Sequence, residues 1–103
     1  MKLYIDTSDR EKITLGIDEQ RFETIAGREK SQRLIPFIDE VLRKNGKTVK
    51  DITEIEVNLG PGSFTGLRVG VAVANTLGWS LKVPVNGKRL DKGEAVDIEY
   101  ENK

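Results

Sequence analysis

The side chains able to do chemistry are few, and two absences bound what they can do. The 103-residue sequence contains neither histidine nor cysteine, which removes the imidazole base, the thiolate nucleophile and the commonest metal ligands. Carboxylates, lysines, tyrosines and hydroxyls remain, and no metal site or cofactor is expected. Two stretches gather such groups at informative spacing. Asp6-Thr7-Ser8 closes an apolar N-terminal run, and Gly60-Pro61-Gly62-Ser63-Phe64-Thr65-Gly66-Leu67-Arg68 stands between an alternating segment and a long uncharged one. The second is a strand-to-helix turn. Gly60 and Gly62 tolerate positive φ, Pro61 fixes its own φ and withholds a donor, and Ser63 or Thr65 can cap the helix that follows. Turns of this kind offer free backbone N–H groups and the positive end of a helix dipole to an anion. Standard phosphate loops do not fit: Leu67 stands where a Walker A loop has lysine, and Thr65 where a dinucleotide fingerprint has glycine. Spacing alone favours a tight turn with close helix-to-strand packing. Asp6-Thr7-Ser8, by itself, reads as an Asx or Ser/Thr turn.

The elements that must carry these stretches follow from periodicity. Segments 2–6, 12–17 and 21–26 read as short strands, with Asp18-Glu19-Gln20 turning the chain between the last two. Ile13, Leu15 and Ile17 alternate with polar or small residues, the pattern of a sheet with one face in a core. From 31 to 45 the spacing is helical: Leu34, Ile35, Phe37, Ile38, Val41 and Leu42 share a broad arc, Pro36 bends the first turn, and Gly46 supplies the stop. Segment 54–59 alternates as a strand. Beyond the turn no charged residue occurs between Arg68 and Lys82, and Gly66, Gly70, Ala74 and Gly78 recur every fourth residue. A helix apolar all round is normally buried all round, and its small-residue stripe serves either the chain's own sheet or a helical partner. Val83-Pro84-Val85 reads as a further parallel strand. Asn86-Gly87 marks a turn, and the alternation of Val96, Ile98 and Tyr100 with Asp97, Glu99 and Glu101 reads as a charged edge strand.

Length predicts one domain with a modest core. Seventeen basic and seventeen acidic residues cancel, so no long-range field attracts a phosphate backbone and direct nucleic-acid binding by this chain alone is not expected. The N-terminus lacks the apolar core of a signal peptide, Asp6 interrupting it early. No segment has the roughly 18 consecutive apolar residues of a membrane span. A cytoplasmic location without membrane contact is the expectation.

The stretch from Gly60 to Arg68 closely resembles the signature of the TsaB family, once called YeaZ. Asp6-Thr7-Ser8, the helical run containing Leu34-Ile35-Pro36-Phe37-Ile38-Asp39, and Val83-Pro84-Val85 agree with the family in order. The resemblance covers residues 1–86. It implies an α/β lobe of ribonuclease H-like, actin/hexokinase (ASKHA) type: a mixed sheet of five or six strands with two helices mainly on one face. Residues 1–103 are read as a single truncated N-terminal lobe, of which 87–103 is a short C-terminal extension. The implied function is that of a non-catalytic dimerisation subunit supporting tRNA threonylcarbamoyladenosine (t6A) modification. Its two helices would pack on a TsaD-like ligase subunit or on a second copy of the chain. The expected interface is Leu34, Phe37, Ile38, Val41, Gly70, Ala74, Leu77, Gly78 and Leu81. The expected anion-like site is Asp6, Thr7, Ser8, Gly60, Gly62, Ser63, Thr65 and Arg68, with Asp6 pairing with Arg68 or with the N–H groups of the turn. Two other readings stay open: a nucleotide-binding or glycoprotease-like hydrolase using Asp6, Thr7 and Ser8, and a stand-alone homodimeric binding module.

Overall fold

The computed structural model describes residues 1–98. Strands β1 (Lys2–Asp6), β2 (Lys12–Ile17) and β3 (Gln20–Ile25) are followed by helix α1 (Lys30–Lys44), strand β4 (Glu54–Val57) and helix α2 (Phe64–Leu81). The strands form one mixed sheet in the order β3-β2-β1-β4. β1 runs antiparallel to β2 and parallel to β4, so the ends of β1 and β4 lie at the same edge.

Alternation in the strands decides which face is covered. Leu3, Ile5, Ile13, Leu15, Ile17, Ile55 and Val57 are buried with Leu34, Ile38, Val41 and Leu42 of α1 and Leu67, Val71 and Ala74 of α2. Both helices therefore lie on one side of the sheet. The other side is polar: Lys2 pairs with Glu56 at 2.6 Å and Lys12 with Glu23 at 3.1 Å. Beside them the Arg21 guanidinium stacks 4.6 Å from the centre of the Tyr4 ring.

Four strands form among the described residues, not five or six. The expected strand at Val83-Pro84-Val85 is reduced to single bridges, Val85 to Ile55 in parallel and to Lys88 antiparallel. Asn86 and Gly87 both take positive φ, 49° and 78°, and such a turn folds the chain back on itself after one bridge. The expected edge strand fares similarly. Val96 and Ile98 are buried while Asp97 is exposed, yet they form no ladder; Glu99, Tyr100 and Glu101 lie outside the described residues.

Helix α1 begins one residue before the expected start, so Pro36 sits inside it. The carbonyl left without a donor faces water, because Gln32 and Pro36 are exposed. At α2 the cap is as expected: Ser63 Oγ accepts from the Gly66 N–H at 3.3 Å.

Candidate functional site

Parallel pairing of β1 with β4 brings Asp6-Thr7-Ser8 against the turn that starts α2. Asn58, one residue past β4, ties the two together. Its amide nitrogen donates to Asp6 Oδ1 at 3.1 Å and to Ser8 Oγ at 3.2 Å, and its Oδ1 accepts from the Gly60 N–H at 3.0 Å. Asp6 Oδ1 also accepts from the Ser8 N–H at 2.9 Å and the Ser8 hydroxyl at 2.6 Å, while the Tyr4 hydroxyl donates to Oδ2 at 3.2 Å. The Ser63 N–H donates to the Ser8 carbonyl at 3.0 Å. Gly62 is needed where the loops meet, since a Cβ there would collide with the Ser8 backbone.

The electrostatics follow from this cage. Partial burial pushes the Asp6 carboxyl up, but hydrogen bonds from the Ser8 hydroxyl and N–H, Asn58 and Tyr4 together outweigh it and hold the group below the usual carboxylate value. Burial and the neighbouring Asp6 charge push Tyr4 up. An acid ionised this readily is a weak proton acceptor, ill-suited to general-base work near neutrality. Among the described residues no group of three or more His, Cys, Asp or Glu could hold a metal ion.

Asp6, Ser8, Gly60, Gly62 and Ser63 thus lie together, with Asp6 reaching the turn through Ser8 and Asn58. Thr7 is different: it is fully buried, and its hydroxyl donates to the Gly66 carbonyl at 2.6 Å inside the lobe. Thr65 and Arg68 are exposed on α2, Arg68 one turn past the cap. Asn58 was not singled out by sequence. Its only signal is a polar side chain standing between Val57 and Leu59 just ahead of the glycine turn.

The expected helical interface needs correction. Leu34, Ile38, Val41 and Ala74 are core residues, and Gly70 and Gly78 are buried too. The small-residue stripe faces inward. Gly66 and Gly70 lie against Thr7, and Gly78 lies against Val85, so the missing side chains serve approach to the chain's own sheet. Of the expected set only Phe37, Leu77 and Leu81 remain partly exposed. Between α1 and α2 runs a largely apolar groove of about 330 Å³, lined by Ile35, Ile38, Val49, Val73 and Leu77 together with Asp39, so that it takes in Ile38 and Leu77 of the expected set. Ile35 is 62% exposed and Val49 42%. No helix among the described residues is long and apolar enough to cross a membrane.

A family model described as TsaD, tRNA N6-adenosine threonylcarbamoyltransferase, matches residues 23–87, a span holding both helices and the turn. Over 91 residues the chain is 37% identical to the tRNA threonylcarbamoyladenosine biosynthesis protein TsaB of Bacillus subtilis (strain 168), covering 82% of this chain and 38% of that one. The solved structure of YeaZ from Pseudomonas aeruginosa matches with a TM-score of 0.70 and 29% identity, covering 82% of this chain and 41% of that chain. The chain belongs to the TsaB (YeaZ) family. Relatives named for the transferase match as well, over a shorter stretch: the tRNA N6-adenosine threonylcarbamoyltransferase of Persephonella marina (strain DSM 14350 / EX-H1) is 34% identical over 64 residues, covering 62% of this chain and 19% of that one. This TsaB-family chain spans 38% of the length of its Bacillus relative.

Proposed function

We propose that this TsaB-family chain is a non-catalytic docking subunit in t6A modification of tRNA, a single actin/hexokinase-type lobe that presents the outer faces of α1 and α2 to a TsaD-like subunit. One observation carries the reading: the groove between the helices is largely apolar and the described residues leave it uncovered. The partner is argued from the family match. The TsaD model covers both helices of this chain, so a TsaD-like protein carries a comparable helix pair, and two such pairs can pack like on like. Covering the exposed parts of Ile35, Val49, Val73 and Leu77 contributes on the order of 1 kcal/mol apiece. That falls short of the ~4–15 kcal/mol cost of association unless the partner brings a matching apolar face. The absence of catalytic chemistry is argued from the caged Asp6 carboxylate and the lack of histidine and cysteine.

Light scattering of the chain mixed with the TsaD-like protein of the same cell tests the reading. A one-to-one complex is expected, lost in Ile35→Glu, whose side chain is largely exposed, while the thermal midpoint of the isolated chain changes little. A chain that ignores that protein overturns the proposal, and so does an Ile35→Glu variant that binds as well as the parent. A homodimer that the TsaD-like protein does not disturb would move the groove's occupant to a second copy.

A further inference from the structure

Among the described residues Lys30 is the charged side chain that the fold buries, at 6% exposure. Its ammonium donates to the Arg10 carbonyl at 2.7 Å and to the Gly27 carbonyl at 3.3 Å. Carbonyl dipoles satisfy two of its three N–H bonds but bring no negative charge. None of the ion pairs among the described residues includes it. A buried cation with no carboxylate in direct contact is costly, which makes the surroundings of this one informative.

Lys30 lies on the wall of a cavity of about 680 Å³ between the β1–β2 loop, the entry to α1 and the first turn of α2. Arg10 and Arg28 stand on the same wall, and both side chains are exposed, with no hydrogen bond or ion pair to any described residue. Ser31, Ser63 and Thr65 add hydroxyls, and Glu11 is the single acid. The nearby Asp9 carboxylate accepts from the N–H groups of Glu11 and Lys12 and keeps its charge, which acts on Lys30 from beyond ion-pair distance. A chain whose charges sum to zero therefore gathers three cations against Glu11 on the wall and Asp9 beside it, around a space in the range of small-molecule sites. Neither Asp6 nor Ser8 lines it. The cavity shares Ser63 and Thr65 with the anion-like site read in the sequence, but the Asp6 cage, joined to the turn by the Ser63-to-Ser8 hydrogen bond, stands outside it.

Ammonium, guanidinium forks and hydroxyls converging on one space match a tetrahedral oxyanion, for which charge-assisted and bidentate bonds are the strong contacts. We propose that this cavity binds the phosphate group of a phosphorylated small molecule, with Lys30 as its buried counter-charge and Arg10 and Arg28 as its rim. The inference stands apart from the helix-face reading and does not depend on it.

Calorimetric titration of the chain with inorganic phosphate and with pyrophosphate, at fixed ionic strength against chloride, tests it. Saturable binding is expected, with amide shifts at Ser31 and Thr65 in the nitrogen–proton spectrum. The double variant Arg10→Ala/Arg28→Ala, whose rim side chains are exposed, should weaken binding about tenfold or more. Arg43→Ala, an exposed arginine near the far end of α1, should leave it unchanged. Lys30→Met should abolish binding if the variant folds; if it does not fold, the rim variants decide alone. No saturable binding, shifts confined elsewhere, or an equal loss in Arg43→Ala would overturn the proposal.

Discussion

Replacing Gly70 with alanine separates two readings of the glycine stripe by the sign of one number. On an outward-facing helix the change removes the conformational cost of glycine and stabilises the chain by about 0.8–1 kcal/mol. Here the new Cβ would stand 2.5 Å from Thr7 Oγ1 and 3.5 Å from Ile5 Cγ2. Thr7 cannot swing away, because it is fully buried and its hydroxyl is fixed on the Gly66 carbonyl. Overpacking of this kind costs about 1–3 kcal/mol, and displacing the threonine adds the loss of a buried hydrogen bond, about 1–3 kcal/mol with the acceptor left unpaired. After the helix gain is subtracted, a net loss of about 1–5 kcal/mol follows. For a chain of this size each kcal/mol shifts the midpoint by about 4–8 °C. Thermal and urea melts followed by circular dichroism read the change directly. A midpoint that rises, with weakened association in place of weakened folding, would refute the inward packing and return the stripe to a partner.

Other consequences follow from the Asp6 cage. Its carboxyl lies below the usual value in the folded chain, so its contribution is complete above the unfolded pKa and is lost as pH falls through the lowered folded value. The stability difference between the parent and Asp6→Asn should accordingly be full at neutral pH and close only in acid, checked by urea melts across a pH series; a difference that persists below the folded value would contradict it. Asn58→Ala removes donors to Asp6 and Ser8 and the acceptor for the Gly60 N–H, and should cost about 1–3 kcal/mol, read by the same melts. Leu34→Ala empties a fully buried position in α1 and should cost about 2–5 kcal/mol, whereas Ile35→Ala beside it, largely exposed, should stay within about 1 kcal/mol in the isolated chain.

Local chemistry is what the sequence by itself determined. Period-two alternation placed β1, β2, β3 and β4 within a residue or two, helical spacing placed α1 and α2, and the cap of α2 was narrowed to Ser63 or Thr65, because each signal lies within a few residues along the chain. The glycine turn and its family signature were likewise local. Which side of a helix meets which neighbour was not. Leu34 and Ile35 are adjacent and both apolar, yet one is fully buried and the other mostly exposed; only the angle at which α1 settles between the sheet and α2 separates them. The glycine stripe was equally ambiguous, since close approach looks the same in sequence whether the approaching backbone is β1 or a partner. The Asn86-Gly87 turn was visible, but its shortening of the following ladder depended on where the sheet stood. Lys30 was invisible as a site. A lysine at the start of a helix is ordinarily solvated, and what buries this one is the meeting of the β1–β2 loop, the α1 entry and α2, segments far apart in sequence that only the tertiary structure brings to one wall.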